Sequence, residues 1–255
     1  MEDELPSGGI EVQSGNVAAL EARWADCWKP RDVARRLDGI SAPWYVAAGW
    51  ALDLFRGEQT REHHDIEIAV PVGRFPEIRE RFAEFTCDAV GAARIWESAT
   101  PQVLTATRQT WLREPETGRY LLDVFREPHD GDVWICRRDE TIRLPSAEII
   151  RHTSDRIPYL IPELVLLFKA KHVRPKDQAD FNAVLPLLTH TQRETLSGLL
   201  KQVHPGHAWL AALQPGPYGA PRQQRPRTAS APIPADRRRS GTGKHHEGVA
   251  REPRP

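Results

Sequence analysis

Residues 64 to 70 read HDIEIAV, which sets two acids, Asp65 and Glu67, among Ile66, Ile68, Ala69 and Val70. The β-branched residues predict a strand, and residues two apart in a strand share a face. Both carboxylates then project together while the isoleucines enter the opposite layer. Like charges side by side repel, and a buried unpaired charge is costly. Hard cations such as Mg²⁺ would remove that repulsion, because oxygen ligands are what Mg²⁺ takes. A two-metal site wants a third carboxylate from a neighbouring strand, and RYLLDVFRE offers Asp123 between Leu122 and Val124. Three such acids holding two Mg²⁺ ions would act on a phosphate chain.

Upstream, AAGWALDL reads as a strand, a tight turn and a helix. A helix N-terminus presents free N–H groups and a positive dipole to a phosphate, and Gly49 permits close approach of the backbone. Arg61 stands in the loop before the acidic strand, placed to clamp a triphosphate bidentately. The weighing runs the other way for some neighbours. Asp53 reads as a structural acid on the short helix, paired with Arg56 or Arg61. His63 and His64 read equally well as solvent-exposed loop residues. Trp44, Trp50 and Trp111 read as core or wall rather than as stacking platforms.

These groups need elements to hold them. Val17, Leu20, Trp24 and Trp28 recur at helical spacing, and Pro30 suits the first turn of a second helix ending near Gly39. APWYVAAG predicts a short strand, and WALDLFRG a short helix closed by Gly57. VGRFPEIRERFAEF is mostly helical in pattern. ARIWE, QVLTATRQTWL, RYLLDVFRE, DVWICRR and TIRLP follow as β-rich segments of an antiparallel or mixed sheet. From Pro162 the helical period returns in PELVLLFKAKHV, KDQADFNAVLPLL, TQRETLSGLLKQV and HAWLAAL. Pro, Gly, Arg, Ser and Gln dominate from about Leu213 onward, a composition that buries too little surface to offset ordering entropy. Residues 214–255 are therefore expected to be a disordered basic tail, and residues 1–14 to be unstructured.

Among 255 residues, 35 Lys and Arg balance 35 Asp and Glu, so net charge favours neither a nucleic-acid nor a membrane partner. The three cysteines are far apart, with no metal-ligand spacing and no disulfide framework. No apolar run approaches the ~20 residues that span a bilayer. A cytoplasmic protein is expected.

The stretch WYVAAGWALDLFRGEQTREHHDIEIAV resembles the active-site segment of the polymerase-β-type nucleotidyltransferases, above all the aminoglycoside and lincosamide branch. In that branch a Gly-containing turn runs into W-A-x-D and then G-x-x-T-R-x-H-x-D-x-D. Here the matching residues are Gly49, Trp50, Ala51 and Asp53, then Gly57, Thr60, Arg61, His63, Asp65 and Glu67. LLDVF matches the strand with the family's third carboxylate, at Asp123. Ala48 stands where the family has the first Gly of its pair, and Glu67 where its antibiotic-modifying members have Asp.

The resemblance implies an α+β protein: a nucleotidyltransferase domain with a small mixed sheet over 15–155, then a helical domain over 156–213. It implies an enzyme that moves AMP from ATP to a hydroxyl of a small molecule, such as an aminoglycoside or lincosamide, and releases pyrophosphate. Asp65 and Glu67 would hold the nucleotide-bound Mg²⁺, and Asp65 and Asp123 the second ion, with Asp123 also the general base. Ala48, Gly49, Trp50, Thr60, Arg61 and Lys169 would bind the nucleotide. The helical part carries Glu163, Asp177 and Asp180 but also Lys169, Lys171, Arg174 and Lys176, a balance that does not favour a polycationic acceptor. Two rivals stay open: a toxin-type nucleotidyltransferase acting on tRNA or protein, for which the basic tail speaks, and a catalytically silent binding protein, for which Ala48 and Glu67 speak. The oligomeric state is left open.

Overall fold

The computed structural model describes residues 5–214. Its strands are β1 (Ile10–Glu11), β2 (Tyr45–Val46), β3 (Glu67–Pro71), β4 (Thr86–Gly91), β5 (Arg94–Trp96), β6 (Gln109–Arg113), β7 (Tyr120–Glu127), β8 (His129–Asp130), β9 (Val133–Ile135), β10 (Arg143–Pro145), β11 (Ile150–His152) and β12 (Pro158–Leu160). Its α-helices are α1 (Val17–Ala22), α2 (Pro30–Arg36), α3 (Ala48–Arg56), α4 (Phe75–Arg81), α5 (Pro101–Ala106), α6 (Ser146–Ile149), α7 (Pro162–Lys169), α8 (Pro175–Val184), α9 (His190–Val203) and α10 (Trp209–Leu213).

The larger sheet runs β1-β5-β4-β6-β7-β3-β2-β12-β11, and β8, β9 and β10 form a small second sheet. It is mixed, as expected: β3 is parallel to β7 and antiparallel to β2, while β6 is antiparallel to β7. Strand β7 lies at the centre, which explains its near-continuous apolar run; a strand covered on both faces has no solvent side to alternate toward.

Local signals set the ends of several elements. Pro30 opens α2, and Asp32 accepts the N–H of Lys29 at 3.1 Å. Gly57, with φ 80°, closes α3 through N–H bonds to Asp53 and Leu54 carbonyls. Thr189 and Gln192 form a reciprocal cap at the start of α9. The first predicted helix is shorter than its periodicity. After Ala22 the backbone turns to bond β7 instead: Arg23 O accepts from Tyr120 N, and Trp28 N donates to Leu121 O. Trp24 thereby reaches Trp111 and Tyr120 in an aromatic cluster.

The described residues, 5–214, fall in one compact unit, with no break at 155/156. Strand β12 joins the main sheet beside β2, pairing Tyr159 with Val46, and α7 packs on α3. The C-terminal helices thus share a continuous core with the sheet. Within the segment 1–14, Ile10–Glu11 pairs with Ile95 and Arg94 of β5. Of the expected tail 214–255, residues 215–255 lie outside the described residues, as do 1–4. No helix among the described residues is long and apolar enough to cross a membrane.

Candidate active site

Glu67 and Asp123 are register partners in the parallel β3–β7 pair. Asp65 is not in the strand; it is an exposed residue just before β3. Trp50 fixes its backbone, because the indole Nε1 donates to Asp65 O at 3.0 Å. Burial pushes the Glu67 carboxyl up to about 7, and the charge of Asp65 adds to the shift. Burial also raises Asp123 well above the usual carboxylate range, with Glu67 contributing, against a hydrogen bond from Gln109. Gln109 Nε2 donates to Asp123 Oδ2 at 2.5 Å, while Asp123 Oδ1 is buried with no partner among the described residues. With both carboxyls raised, a proton on either relieves the repulsion between them when no cation does.

A cleft of about 440 Å³ opens between the sheet and the C-terminal helices. Its wall includes Ala47, Ala48, Gly49, Trp50, Asp65 and Glu67; Asp123, 3 % exposed, lies just beneath that wall. Ala48 adopts φ 48°, the left-handed region in which a Cβ is strained. At Gly49 a Cβ would stand 2.5 Å from Arg61 Nη2 and 2.7 Å from the His63 ring. Only glycine fits there.

Two expectations are corrected at this turn. Asp53 pairs with neither Arg56 nor Arg61: it accepts from Thr60 Oγ1 at 2.6 Å and meets His63 Nε2 at 2.6 Å. His63 is no open loop residue; its side chain is 3 % exposed and stacks on Trp50 with ring centroids 4.4 Å apart. Burial lowers its pKa despite the Asp53 bond. His64 is exposed. A chain of contacts therefore runs from Asp53 through His63 to Trp50 and on to the backbone of Asp65. Trp50 is a wall residue, and Thr60 supports it through Asp53.

Arg61 and Lys169 both reach the cleft, but each already has acidic partners. Arg61 donates to Asp180 at 3.1 and 3.3 Å. Lys169 Nζ lies 2.8 Å from Asp177 and 3.0 Å from Asp180, and Arg174 Nε lies 2.7 Å from Asp177. Burial works to raise both aspartates, and the hydrogen bonds from these cations override it and hold them low. Helix α8 thus braces three cations with two carboxylates at the mouth of the cleft.

Residues 31–102 match the family model described as aminoglycoside-2''-adenylyltransferase. The match covers less than a third of the chain, and over it the chain is similar to the aminoglycoside adenylyltransferases. No curated protein matches the chain. Among solved structures, a lincomycin-bound lincosamide antibiotic adenylyltransferase, LnuA, is 17% identical, with a TM-score of 0.44, over 62% of this chain and 96% of that one. ANT(2'')-Ia in complex with adenylyl-2''-tobramycin is 13% identical, with a TM-score of 0.46, over 68% and 95%. An antigenic nucleotidyltransferase-like protein from Paracoccidioides brasiliensis is 14% identical, with a TM-score of 0.37, over 77% and 93%. Overlaps this loose do not superpose sites, and the assignment of residues rests on this chain alone.

Among the described residues no three His, Cys, Asp or Glu side chains converge as a ready-made metal cage. The donors of Asp65, Glu67 and Asp123 nonetheless suit a hard cation such as Mg²⁺: all are carboxylate oxygens, and one, Asp123 Oδ1, is buried without a partner among the described residues. Several cleft residues were not singled out in the sequence as site residues. Glu127, Arg137, Arg138, Arg174 and Lys176 all line it. For Glu127 a signal existed: Asp123, Phe125 and Glu127 alternate along β7 and so share a face. For Arg137 and Arg138, just past β9, no local pattern announced the cleft.

Proposed function

We propose that this nucleotidyltransferase moves AMP from ATP to a hydroxyl of a small molecule in the cleft. The carrying observation is the pairing of Glu67 with Asp123 beneath a cleft whose rim holds the Ala47–Gly49 turn and the braced cations. In this reading Asp65, Glu67 and Asp123 hold two Mg²⁺ ions, whose chemistry is to neutralise the triphosphate and the charge that develops on transfer. The turn at Ala48, Gly49 and Trp50 seats the phosphates against the start of α3. Lys169 retains donor capacity beyond its two aspartates, and Arg61 is held rigid by Asp180, so both meet the triphosphate with little ordering cost. Asp123 takes the proton of the acceptor hydroxyl at its unpartnered Oδ1. The acceptor's oxygen then bonds to the α-phosphorus, the bond to the β-phosphate oxygen breaks, and pyrophosphate leaves. ATP as donor fits a cytoplasmic location.

The resemblance names an aminoglycoside or lincosamide as acceptor. The test is transfer of label from α-³²P-ATP to a panel holding both antibiotic classes, acidic sugars, total tRNA and a protein lysate. Label on a small molecule supports the reading. Label on RNA or protein would favour the toxin-type rival. No label, together with no Mg²⁺-dependent ATP binding, would sink it in favour of a silent binding protein.

A further inference from the structure

The cations that line the cleft are not all held alike. Arg61, Lys169 and Arg174 each hydrogen-bond to Asp177 or Asp180. Among the described residues Arg137 and Arg138 have no carboxylate within hydrogen-bond range. The carboxylate that reaches them is Glu127, whose Oε1 lies 3.6 Å from Arg137 Nε, beyond hydrogen-bond range. The Nε atoms of both arginines and Glu127 Oε2 are buried without a hydrogen-bond partner among the described residues. Glu127 as a whole is 4 % exposed. Such groups are normally satisfied in a folded protein, and a set of them on residues that line one cavity points to a ligand.

The guanidinium planes are also held in place. Arg137 Cζ lies 4.8 Å from the Phe125 ring and 5.0 Å from Phe168, and Arg138 Cζ lies 5.8 Å from Phe168. Stacked arginines keep their N–H edges free for a planar or tetrahedral anion. Burial, and then repulsion from Arg137, holds Arg138 below its usual range, a cost that a bound anion would relieve.

We propose that Arg137, Arg138 and Glu127 form an acceptor subsite, and that the acceptor is a polyhydroxy compound bearing a phosphate or carboxylate. The proposal rests on the nucleotidyl-transfer reading and narrows its acceptor. The arginines take the anionic group, and Glu127 Oε2 accepts from a neighbouring hydroxyl. Another hydroxyl, near Asp123, gives up its proton to that residue as its oxygen bonds the α-phosphorus and pyrophosphate leaves. Glu127 lies four residues from Asp123 on the same face of β7, a span of ~13 Å at ~3.3 Å per residue, which suits a molecule of one or two sugar rings. A polycationic aminoglycoside would meet two guanidinium groups there against the one carboxylate of Glu127.

The decisive experiment titrates inorganic phosphate, and separately glucose 6-phosphate and kanamycin, into wild type, Arg138→Gln and Arg138→Lys. Each is measured by calorimetry, without nucleotide and with Mg²⁺ and a non-hydrolysable ATP analogue. With the analogue bound, phosphate and glucose 6-phosphate should bind wild type and outcompete kanamycin. Arg138→Gln should weaken both anions about tenfold or more, the loss of a charged hydrogen bond, with Arg138→Lys between. Affinity for the ATP analogue should change less than about twofold, since Arg138 is assigned to the acceptor. Anion binding that ignores Arg138, kanamycin bound in preference, or loss of the ATP analogue in Arg138→Gln would each overturn the proposal, the last by giving the pair to the triphosphate. If wild type binds no Mg²⁺-ATP analogue, the transfer reading fails. The nucleotide-free phosphate titration then still judges the anion site by its response to the two variants.

Discussion

Glu67 and Asp123 face each other across the parallel β3–β7 pair, both with carboxyl groups raised by burial. Glu67 titrates near 7 against an ordinary 4.5. A raised acid binds its proton more tightly in the folded state, so between those values the folded chain holds more protons than the unfolded one. Metal-free stability should therefore fall as pH rises from about 4.5 through 7, by at most roughly 3 kcal/mol from this group. Melting in EDTA across that window checks it. Glu67→Gln should flatten the slope. Added Mg²⁺ should raise the melting temperature more at pH 8 than at pH 6, since it competes with a proton.

Neutralising one acid should separate affinity from stability. Asp65→Asn should leave the metal-free protein as stable as wild type or slightly more so, weaken Mg²⁺-dependent ATP binding, and cut transfer by several orders of magnitude. Asp123→Asn should keep most nucleotide affinity and lose transfer, because its assigned work lies on the acceptor side. Should Asp65→Asn instead lower the metal-free melting temperature with nucleotide affinity intact, the acids are structural.

The turn gives opposite expectations for adjacent residues. Ala48→Gly removes a strained Cβ at φ 48° and should stabilise by about 1 kcal/mol, partly offset by the looser unfolded chain, a rise of a few degrees at most. Transfer should persist or increase. Gly49→Ala should lower both melting temperature and nucleotide affinity. Its Cβ meets the His63 ring, which Asp53 and Trp50 lock in place.

The Asp53–His63 contact should act on the site through Trp50. His63→Ala removes the ring that supports the indole and should cost about 1–3 kcal/mol. It should also weaken Mg²⁺-ATP binding, which a purely structural role in α3 would leave alone. Because burial depresses the His63 pKa, its contribution is full above about 6.5 and lost as pH falls below it, opposite in sign to Glu67. In His63→Ala the acid limb of the stability curve should be shallower. A melting series between pH 5 and 8 reads both slopes.

Much of the candidate site's frame was legible in short stretches. Alternation and β-branching marked the strands of Glu67 and Asp123, Gly49 and Gly57 bracketed α3, and the acid spacing pointed to a phosphate and metal. Those features are local, since a residue's backbone preference and its face on a strand follow from near neighbours. The tertiary structure decided the rest. It stopped β3 at Glu67 and left Asp65 outside, pinned by Trp50. Distant Asp177 and Asp180 became the partners of Lys169 and Arg61, and His63 was buried against Asp53. Folding also carried Arg137 and Arg138 from beyond β9 to the aromatic rings of Phe125 and Phe168. Each outcome joins groups far apart in the chain or sets burial, and charge, pKa and free hydrogen-bonding capacity depend on what lies within a few ångströms in space.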